Sequence, residues 1–459
     1  MALIDFDVEA IVNQAIANKY VDVEVIIKNK VKDFQIDEKF LEFIEFDRDY
    51  MRNKTDFIRL GFQCYGGDFI KDIYNERNNL EVILNYTNIF YNKENKPERI
   101  TVSRTYKAII IGSDGGSANP QYTKTTPDTL NKGSMTIVTL QLVDRIYEVL
   151  RPIPIELQRR HATMTDVLRT HVPQVISDKE VMIEDEPIEL IVDVVPSHNL
   201  EEYDNIRYEQ EDGKDVERLL RFGNFLQETY GVYNSGLGSF IQHYKDKDIL
   251  FYYPFCDITR YNKEKDKLEI YIPTSDHISK GEKTFIRDGD VLKIIVDPSN
   301  IEDWNNGDKT LLEKGNAVGG LDPNLALSGM GYSGGASVIS NSTENLMTAS
   351  AVRNLEDGNN TTLFVGSEGN LYKHRSNIII NSLIIFNFVW QFSNPDEIFP
   401  GMPVKVIQEV SYNNKTEETG PYLQEYIGSV VTTFSALDLK RKSMVTKVGV
   451  MVNRPRPLS

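Results

Sequence analysis

The sequence is poor in the residues from which compact catalytic or metal centres are usually built: its 459 residues include two cysteines and six histidines. Cys64 and Cys256 are too few for a disulfide framework and leave no cysteine-rich metal cluster. Neither "GFQCYGG" nor "PFCDIT" sets a base beside the thiol, so both read as small buried residues rather than nucleophiles. His161, His171, His198, His243, His277 and His374 form no His-Glu-x-x-His or other compact zinc spacing. Positive charge is also short. With 51 Lys and Arg against 68 Asp and Glu, the net charge of -17 argues against a duplex DNA wrapper. The small basic groups at Arg159, Arg160 and Arg169 and at Lys440, Arg441 and Lys442 read as solvated charge or protein contacts.

Long apolar runs are missing too. The most apolar stretch, "NIIINSLIIFNFVWQF" from Asn377 to Phe392, is interrupted by Asn and Ser and falls short of the roughly 20 apolar residues a spanning helix needs. It reads as buried strands. The opening "MALIDFDVEAIVNQAI" is acidic and does not read as a secretory signal. The six Asn-x-Ser/Thr matches, at Asn53, Asn85, Asn341, Asn359, Asn360 and Asn414, are therefore expected to be chance matches in an Asn-rich chain.

What is present is β-pattern and aromatic area, with 23 Tyr and 21 Phe. Residues 1–20 fit an amphipathic helical arm with Ile4, Val8, Ile11 and Ile16 on one face. Residues 21–145 read as β-rich: "VDVEVIIKN" and "GSMTIVTLQLVD" alternate, "LEVILNYTNIFYN" and "ITVSRTYKAIIIGS" are rich in β-branched and aromatic residues, and a short helix is expected around "GGDFIKDIYNE". Residues 146–300 mix helix and strand, and Thr163 with Asp166 resembles a capping box before Val167, Leu168, Val172 and Val175. Residues 301–370, rich in Gly, Ser and Asn, read as an extended connector or arm, while 371–459 return to strand patterns. The fold class is thus mainly β with α+β elements, two β-rich bodies flanking a mixed centre.

The stretch "LLRFGNFLQETYGVYNSGLGSFIQHYKDKDILFYYPF", Leu219 to Phe255, holds the densest local design. Leu219, Phe222, Leu226 and Tyr230 recur at helical spacing, with Arg221 and Glu228 free to face water. Gly231, Asn234, Gly236 and Gly238 then permit turns closed to bulkier residues. Packing and a turn account for the segment without chemistry.

Acidic groups are abundant but undirected. Glu184, Asp185 and Glu186 form a run, and Asp288 and Asp290 flank Gly289; a glycosidase would need two carboxylates meeting in space, and a calcium loop would need twelve patterned residues. Both groups read as solvated turn and connector acids. "IGSDGGSANPQYTKTTPDTLNKGS" has the wrong glycine spacing for a phosphate loop and reads as a long excursion or assembly contact.

Segment order and texture resemble the baseplate hub proteins of contractile-tailed bacteriophages. The resemblance is carried by Leu219–Phe255, where a helix enters a Tyr-Gly-x-Tyr turn and then a strand. It is also carried by "FPGMPVKVIQEVSY" with "YIGSVVTTFSAL", Phe399 to Leu437, and by "TIVTLQLVDRI" from Thr136. It implies two tail-tube-like β-barrel or sandwich domains, the second ending in 371–459 with contributions from 146–300. It further implies a homotrimer forming a pseudo-sixfold ring between a hexameric tail tube and a trimeric central spike. Tape-measure or baseplate wedge proteins would be further partners, and the place would be a virion tail baseplate assembled in the host cytoplasm.

No catalytic, cofactor-binding or metal residue is assigned, and no cofactor, specific nucleic acid or integral membrane association is expected. Candidate interface or scaffold residues are Tyr230, Tyr233 and Phe240 in the central motif, Met330 and Tyr332 in the connector, and Phe399 and Met402 beside the Pro-Gly turn. The alternative is a carbohydrate-binding or hydrolytic tail component, which a deep groove with converging carboxylates and aromatics would favour. A third reading is a non-viral multidomain scaffold.

Overall fold

The structure is a computed structural model that describes residues 18–91, 97–112, 135–156, 163–183, 186–196, 216–233, 235–272, 285–296, 301–303, 384–410 and 422–452. Strands dominate, with a minority of helix. The first group of strands is β1 (Asn18–Lys28), β2 (Asp33–Ile36), β3 (Leu41–Asp49), β4 (Phe57–Tyr65), β5 (Glu81–Tyr91), β6 (Pro97–Gly112) and β7 (Met135–Asp144). The helical turn expected between β4 and β5 is α1 (Gly66–Asp68), which runs into a π-helical turn at Phe69–Tyr74.

The middle of the chain holds α2 (Arg145–Leu150), β8 (Pro154–Glu156), α3 (Met164–Asp178), β9 (Met182–Ile183), β10 (Glu186–Pro187), β11 (Leu190–Val194), β12 (Val216–Arg218), α4 (Leu219–Thr229), β13 (Leu237–Tyr244) and β14 (Lys247–Pro254). A last group comprises α5 (Arg260–Lys263), β15 (Lys267–Ile272), β16 (Phe285–Asp288), β17 (Val291–Ile295), β18 (Ile301–Asp303), β19 (Ile384–Trp390), β20 (Pro403–Val410), β21 (Tyr422–Asp438) and β22 (Ser443–Val452).

Period-two patterning decides how the first group folds. Val21, Val25 and Ile27 point inward from β1 while Asp22 and Glu24 point out, and β4 buries Ile58, Leu60 and Phe62 in the same way. The strands run β21-β3-β4-β7-β6-β5-β1-β2. The sheet then curls back on itself, because Val21 N–H donates to Lys442 O at 2.6 Å and Leu437 and Met444 join the same core. Each fully buried Val, Leu, Ile or Phe of that core contributes about 1.5–3 kcal/mol.

A second rolled sheet follows the order β16-β17-β15-β20-β21-β22-β19-β18, with β15 parallel to both β17 and β20. Its flanks meet where Phe285 of β16 packs edge-on against Trp390 of β19, ring centroids 5.5 Å apart. Strand β21 belongs to both sheets. Its first half, Tyr422–Ser429, pairs with β20, and its second half, Thr432–Ala436, pairs with β3, while β22 follows the other edge. A bulge at Val431 separates the halves, and its freed carbonyl accepts from Tyr50 N–H at 3.0 Å. Bulges of this kind are how one strand turns from one sheet into another.

Between the rolled sheets sits a mixed layer, in which the three-stranded sheet β11-β14-β13 lies against α3 and α4 over a third core. Thr163 caps α3 as its spacing predicts, accepting from Asp166 N–H at 3.2 Å. One sequence expectation needs correction: the helical arm over 1–20 does not reach its end, because Asn18–Tyr20 already open β1 and pair with β5. Ladder bonds along β5 outweigh a weak helical face there. Residues 1–17, the loop 113–134, the connector from 304 to 370, and with it Met330 and Tyr332, lie outside the described residues. Of the apolar run Asn377–Phe392, Ile384–Trp390 form a strand with Phe388 and Trp390 buried.

Candidate functional site

The Leu219–Phe255 motif folds as its spacing predicts, and its alternation does more than fill one core. Leu219, Phe222 and Leu226 are buried on α4, whereas Arg221 and Glu228 face solvent. Gly231 and Gly236 have φ of 83° and 85°, and the N–H groups of Tyr230 and Gly231 both donate to Leu226 O to close the helix. Gln227 reads the turn by accepting from Val232 N–H and Tyr233 N–H at 3.0 and 2.9 Å and donating to Tyr233 O at 2.9 Å. The following hairpin is two-sided: Leu237, Ile241, Leu250 and Tyr252 enter the helical layer's core, while Phe240, Tyr244, Phe251 and Tyr253 enter the core of the second rolled sheet.

Tyr233 and Phe240 are therefore interior residues. The Tyr233 hydroxyl donates to Val195 O at 2.5 Å, and the Phe240 ring meets Tyr50 edge-on at 4.9 Å. Tyr230 is half-buried against Phe225. Phe399 and Met402 are buried too. Within the chain, four of these five side chains are buried and the fifth is half-buried.

Phe399 and Met402 lie on a segment bonded to several parts of the fold, residues 391–402 between β19 and β20. Ser393 N–H donates to Met444 O at 2.9 Å, Asn88 donates to Asn394 Oδ1 at 3.3 Å, and Tyr86 donates to Asp396 Oδ2 at 2.6 Å. Arg48 Nη1 donates to Pro395 O at 3.2 Å, Gln242 Nε2 to Ile398 O at 2.7 Å, Arg260 Nη1 to Gly401 O at 2.8 Å, and Val430 N–H to Met402 O at 2.9 Å. One strap is thus bonded to the first rolled sheet, the central hairpin and the second sheet. Gly401 is required there: its φ is +66°, and a Cβ would lie 2.2 Å from Tyr253 Cδ2.

Arg48 is the centre of the strap's electrostatics. It is 3% exposed, its Nε and Nη2 donate to the two oxygens of Asp56 at 3.1 and 3.2 Å, and Nη2 also reaches Asp396 Oδ1 at 3.0 Å. Burial alone would disfavour its charge, but Asp56 and Asp396 outweigh that and hold the guanidinium charged. Burial and the Asp396 charge push the Tyr86 hydroxyl far above its ordinary range. A second tie runs from Arg104 of β6 to Asp248 of β14 and to Asp144, 3.4 Å away, which caps α2 by accepting from Ile146 N–H at 2.8 Å. Burial raises Asp144 despite Arg104. Asp248 is also pushed up by burial, yet the His243 hydrogen bond and the Arg104 charge overcome this and leave it lowered.

Of the histidines, His171 is buried edge-on to Phe222 and His243 faces Asp248 at 3.1 Å, whereas His161, His198, His277 and His374 lie outside the described residues. Both cysteines are free, and burial pushes each thiol up to about 12. Asp288 and Asp290 flank an exposed hairpin turn at Gly289, φ 62°, and Glu186 is exposed on β10. Among the described residues no group of three or more His, Cys, Asp or Glu is placed to hold a metal ion, and no helix is long and apolar enough to cross a membrane.

A groove of about 520 Å³ between the mixed layer and the second sheet brings Asp193, Glu264 and Asp266 near Tyr244, Phe251 and Phe399. Burial and the Glu264 charge raise Asp193. The aromatic rings, however, pack on one another, Phe399 lying 5.2 Å from Tyr244 and 5.8 Å from Phe251, and each is at most 9% exposed. Glu264 is taken by Arg260, at 2.5 and 2.9 Å. Asp266 is taken by Lys245, at 2.7 Å, so two of the three acids are already paired and the rings are largely spent on one another.

Arg48, Asp56, Asp396, Arg260, Gln227 and Gln242 were not singled out from sequence. For Arg48 a signal exists: Ile44, Phe46 and Arg48 alternate along β3, with Tyr50 just beyond its end, so the arginine stands on the inward, apolar side.

The architecture defines a mainly β protein with two rolled sheets sharing a strand around a mixed helical layer. No family model matches the chain, and no curated protein matches it. Among solved structures it is similar to a tail protein of Neisseria meningitidis MC58, at 10% identity and a TM-score of 0.32, covering 94% of this chain and 96% of that one. It is also similar to the 43 kDa tail protein of prophage MuSo2 from Shewanella oneidensis, at 11% identity and a TM-score of 0.38, covering 93% and 97%. Both scores lie below the level that marks a shared fold.

Proposed function

We propose that this chain is a structural component of a virion tail, a baseplate hub that joins a hexameric tail tube to a trimeric central spike. One observation carries the reading: β21 runs through both rolled sheets and the 391–402 strap bonds both to the central layer, so the pair forms one body. Two rolled sheets in fixed relation are what each subunit of a homotrimer must supply if three copies are to meet a sixfold tube. Both sheets then count as tail-tube-like domains, in line with the segment resemblance in Leu219–Phe255 and Phe399–Leu437. The work of such a protein is positioning, without catalysis or a cofactor, at a virion baseplate assembled in the host cytoplasm. Tape-measure or wedge proteins are further contacts.

The groove at Asp193 and Glu264 is the observation that would favour a carbohydrate-binding or hydrolytic tail component. Its self-packed rings and the Arg260–Glu264 pair favour the structural reading instead. The purified chain tests this: electron-microscopy class averages should show threefold rings with six lobes. A folded monomer at tens of micromolar that binds neither tube nor spike protein would contradict it, and saturable glycan binding abolished by Asp193→Asn would favour the second reading.

A further inference from the structure

Exposed apolar side chains gather on one face of the first rolled sheet. Among the described residues seven large apolar side chains are exposed, and three of them, Tyr65, Met135 and Ile109, share the outer surface of β4, β7 and β6. The other four, Val31, Met182, Ile191 and Ile258, lie singly elsewhere and need no explanation. The strand register makes the three contiguous. Tyr65 stands opposite Met135, and Gln63 opposite Ile137 on the next outward rung; Gly61 and Gly112 then flank Thr139, and Arg59 and Ile109 flank Gln141. Because Gly61 has no side chain, the Phe43 ring of β3 lies flat on the sheet, 2.3 Å from where a Cβ would stand. Half-buried Phe43 and Ile137 thus fill the surface between the exposed three.

We propose that this face is where one copy of the chain meets the next, an inference that rests on the homotrimer reading above. Its place in the sheet is the first argument. Counting round from β21 through β3, β4, β7, β6, β5 and β1 to the turn where Val21 closes on Lys442, β7 and β6 stand halfway, opposite the strand that ties the two sheets together. In a ring of three copies with two lobes each, that far side is the one left to meet the second sheet of the next copy. Charge selects the same face. Two copies with a net charge of -17 each repel, so they approach closely only where charge is absent or paired. On the four rungs the one ionic group is Arg59, and Glu45 holds it at 2.5 Å, whereas the trough along β1, β2 and β5 is lined by Asp22, Glu24, Asp37 and Glu38. The area is also sufficient. Tyr65, Met135 and Ile109 leave on the order of 300 Å² open, the size at which an apolar patch marks a contact site. A standard interface takes about 800 Å² per partner, a little over half of it apolar, so the patch with Phe43 and Ile137 fills most of that share.

The test is sedimentation velocity of the full chain at tens of micromolar, beside the double variant Ile109→Glu, Met135→Glu and the control Val31→Glu, all at exposed positions. The wild type and the control should sediment as trimers, and the double variant should associate about a hundredfold more weakly or worse, since two carboxylates would have to be buried against a second acidic chain. A benzoylphenylalanine in place of Tyr65 gives an independent reading: light should link it to the second rolled sheet of another copy. The surface is overturned, with the homotrimer reading left standing, if the double variant trimerises like the wild type or if the Tyr65 probe reaches only its own chain. Links from Tyr65 to Tyr65 of another copy would overturn it in favour of a twofold pair. A wild-type chain that is monomeric throughout overturns the surface as well, and the homotrimer reading falls with it only if tube and spike proteins also go unbound.

Discussion

Replacing Arg48 by Met tests the junction of the three cores, because it keeps the stem that fills space and removes the charge that two elements share. The guanidinium donates twice to Asp56, once to Asp396 and once to Pro395 O, at 3.0–3.2 Å, and is 3% exposed. Removing one partner of a buried pair costs about 3–5 kcal/mol, and here two carboxylates are stranded together. Tyr86 remains as a donor to Asp396 alone. The upper end, about 5 kcal/mol, is therefore expected, a large share of the 5–15 kcal/mol typical of a folded domain. Urea unfolding followed by tryptophan fluorescence, to which Trp390 in the second core contributes, measures the loss. Adding Asp56→Asn and Asp396→Asn to Arg48→Met should recover about half of it, since the stranded charges are then gone. A loss below about 1 kcal/mol for Arg48→Met would refute the reasoning.

Three further expectations follow from the same structure. Gly401→Ala must place a Cβ 2.2 Å from Tyr253 at a φ of +66°, so a loss of about 2–5 kcal/mol is expected by the same urea assay, and near-wild-type stability would show that the strap has slack. Cys256, a buried thiol raised to about 12, should resist a thiol reagent at pH 8 until urea unfolds the chain, with half-buried Cys64 reacting sooner, and fast labelling of Cys256 in native protein would contradict its burial. Asp248 is lowered in the fold, since the His243 bond and the Arg104 charge overcome its burial, so its contribution is present above the unfolded value near 3.9 and disappears as pH falls through the lower folded value. The stability gap between wild type and Asp248→Asn should accordingly shrink from pH 5 to pH 3, and a gap constant with pH would be evidence against the Arg104–Asp248–His243 tie.

Local patterns made much of the fold legible. Alternation in β1 and β7, the capping pair Thr163 and Asp166, and the helical spacing of Leu219, Phe222 and Leu226 are readable because neighbours in sequence are neighbours in the element. What escaped depends on distant partners. Asp396 meets Arg48 from 348 positions away, and Gln242 meets Ile398 from 156 positions away. No local pattern announces such bonds, although a lone arginine on the apolar side of β3 hinted at one. Phe240, Phe399 and Met402 read from sequence as interface or scaffold without distinction, because aromatic and methionine side chains mark interfaces and cores alike; in the fold of the single chain all three are buried. Asn18–Tyr20 fit a helical face but join β1, because they continue, through a register shift, the ladder that runs along β5 from Val21 to Lys28.

Cryo-electron microscopy of the native assembly that contains this chain tests the central claim most directly. A hub would appear as three copies around the tail axis, with six rolled sheets forming a ring between tube and spike and β21 continuous through each pair. A position off the axis, or a ring without threefold symmetry between those two partners, would contradict the account.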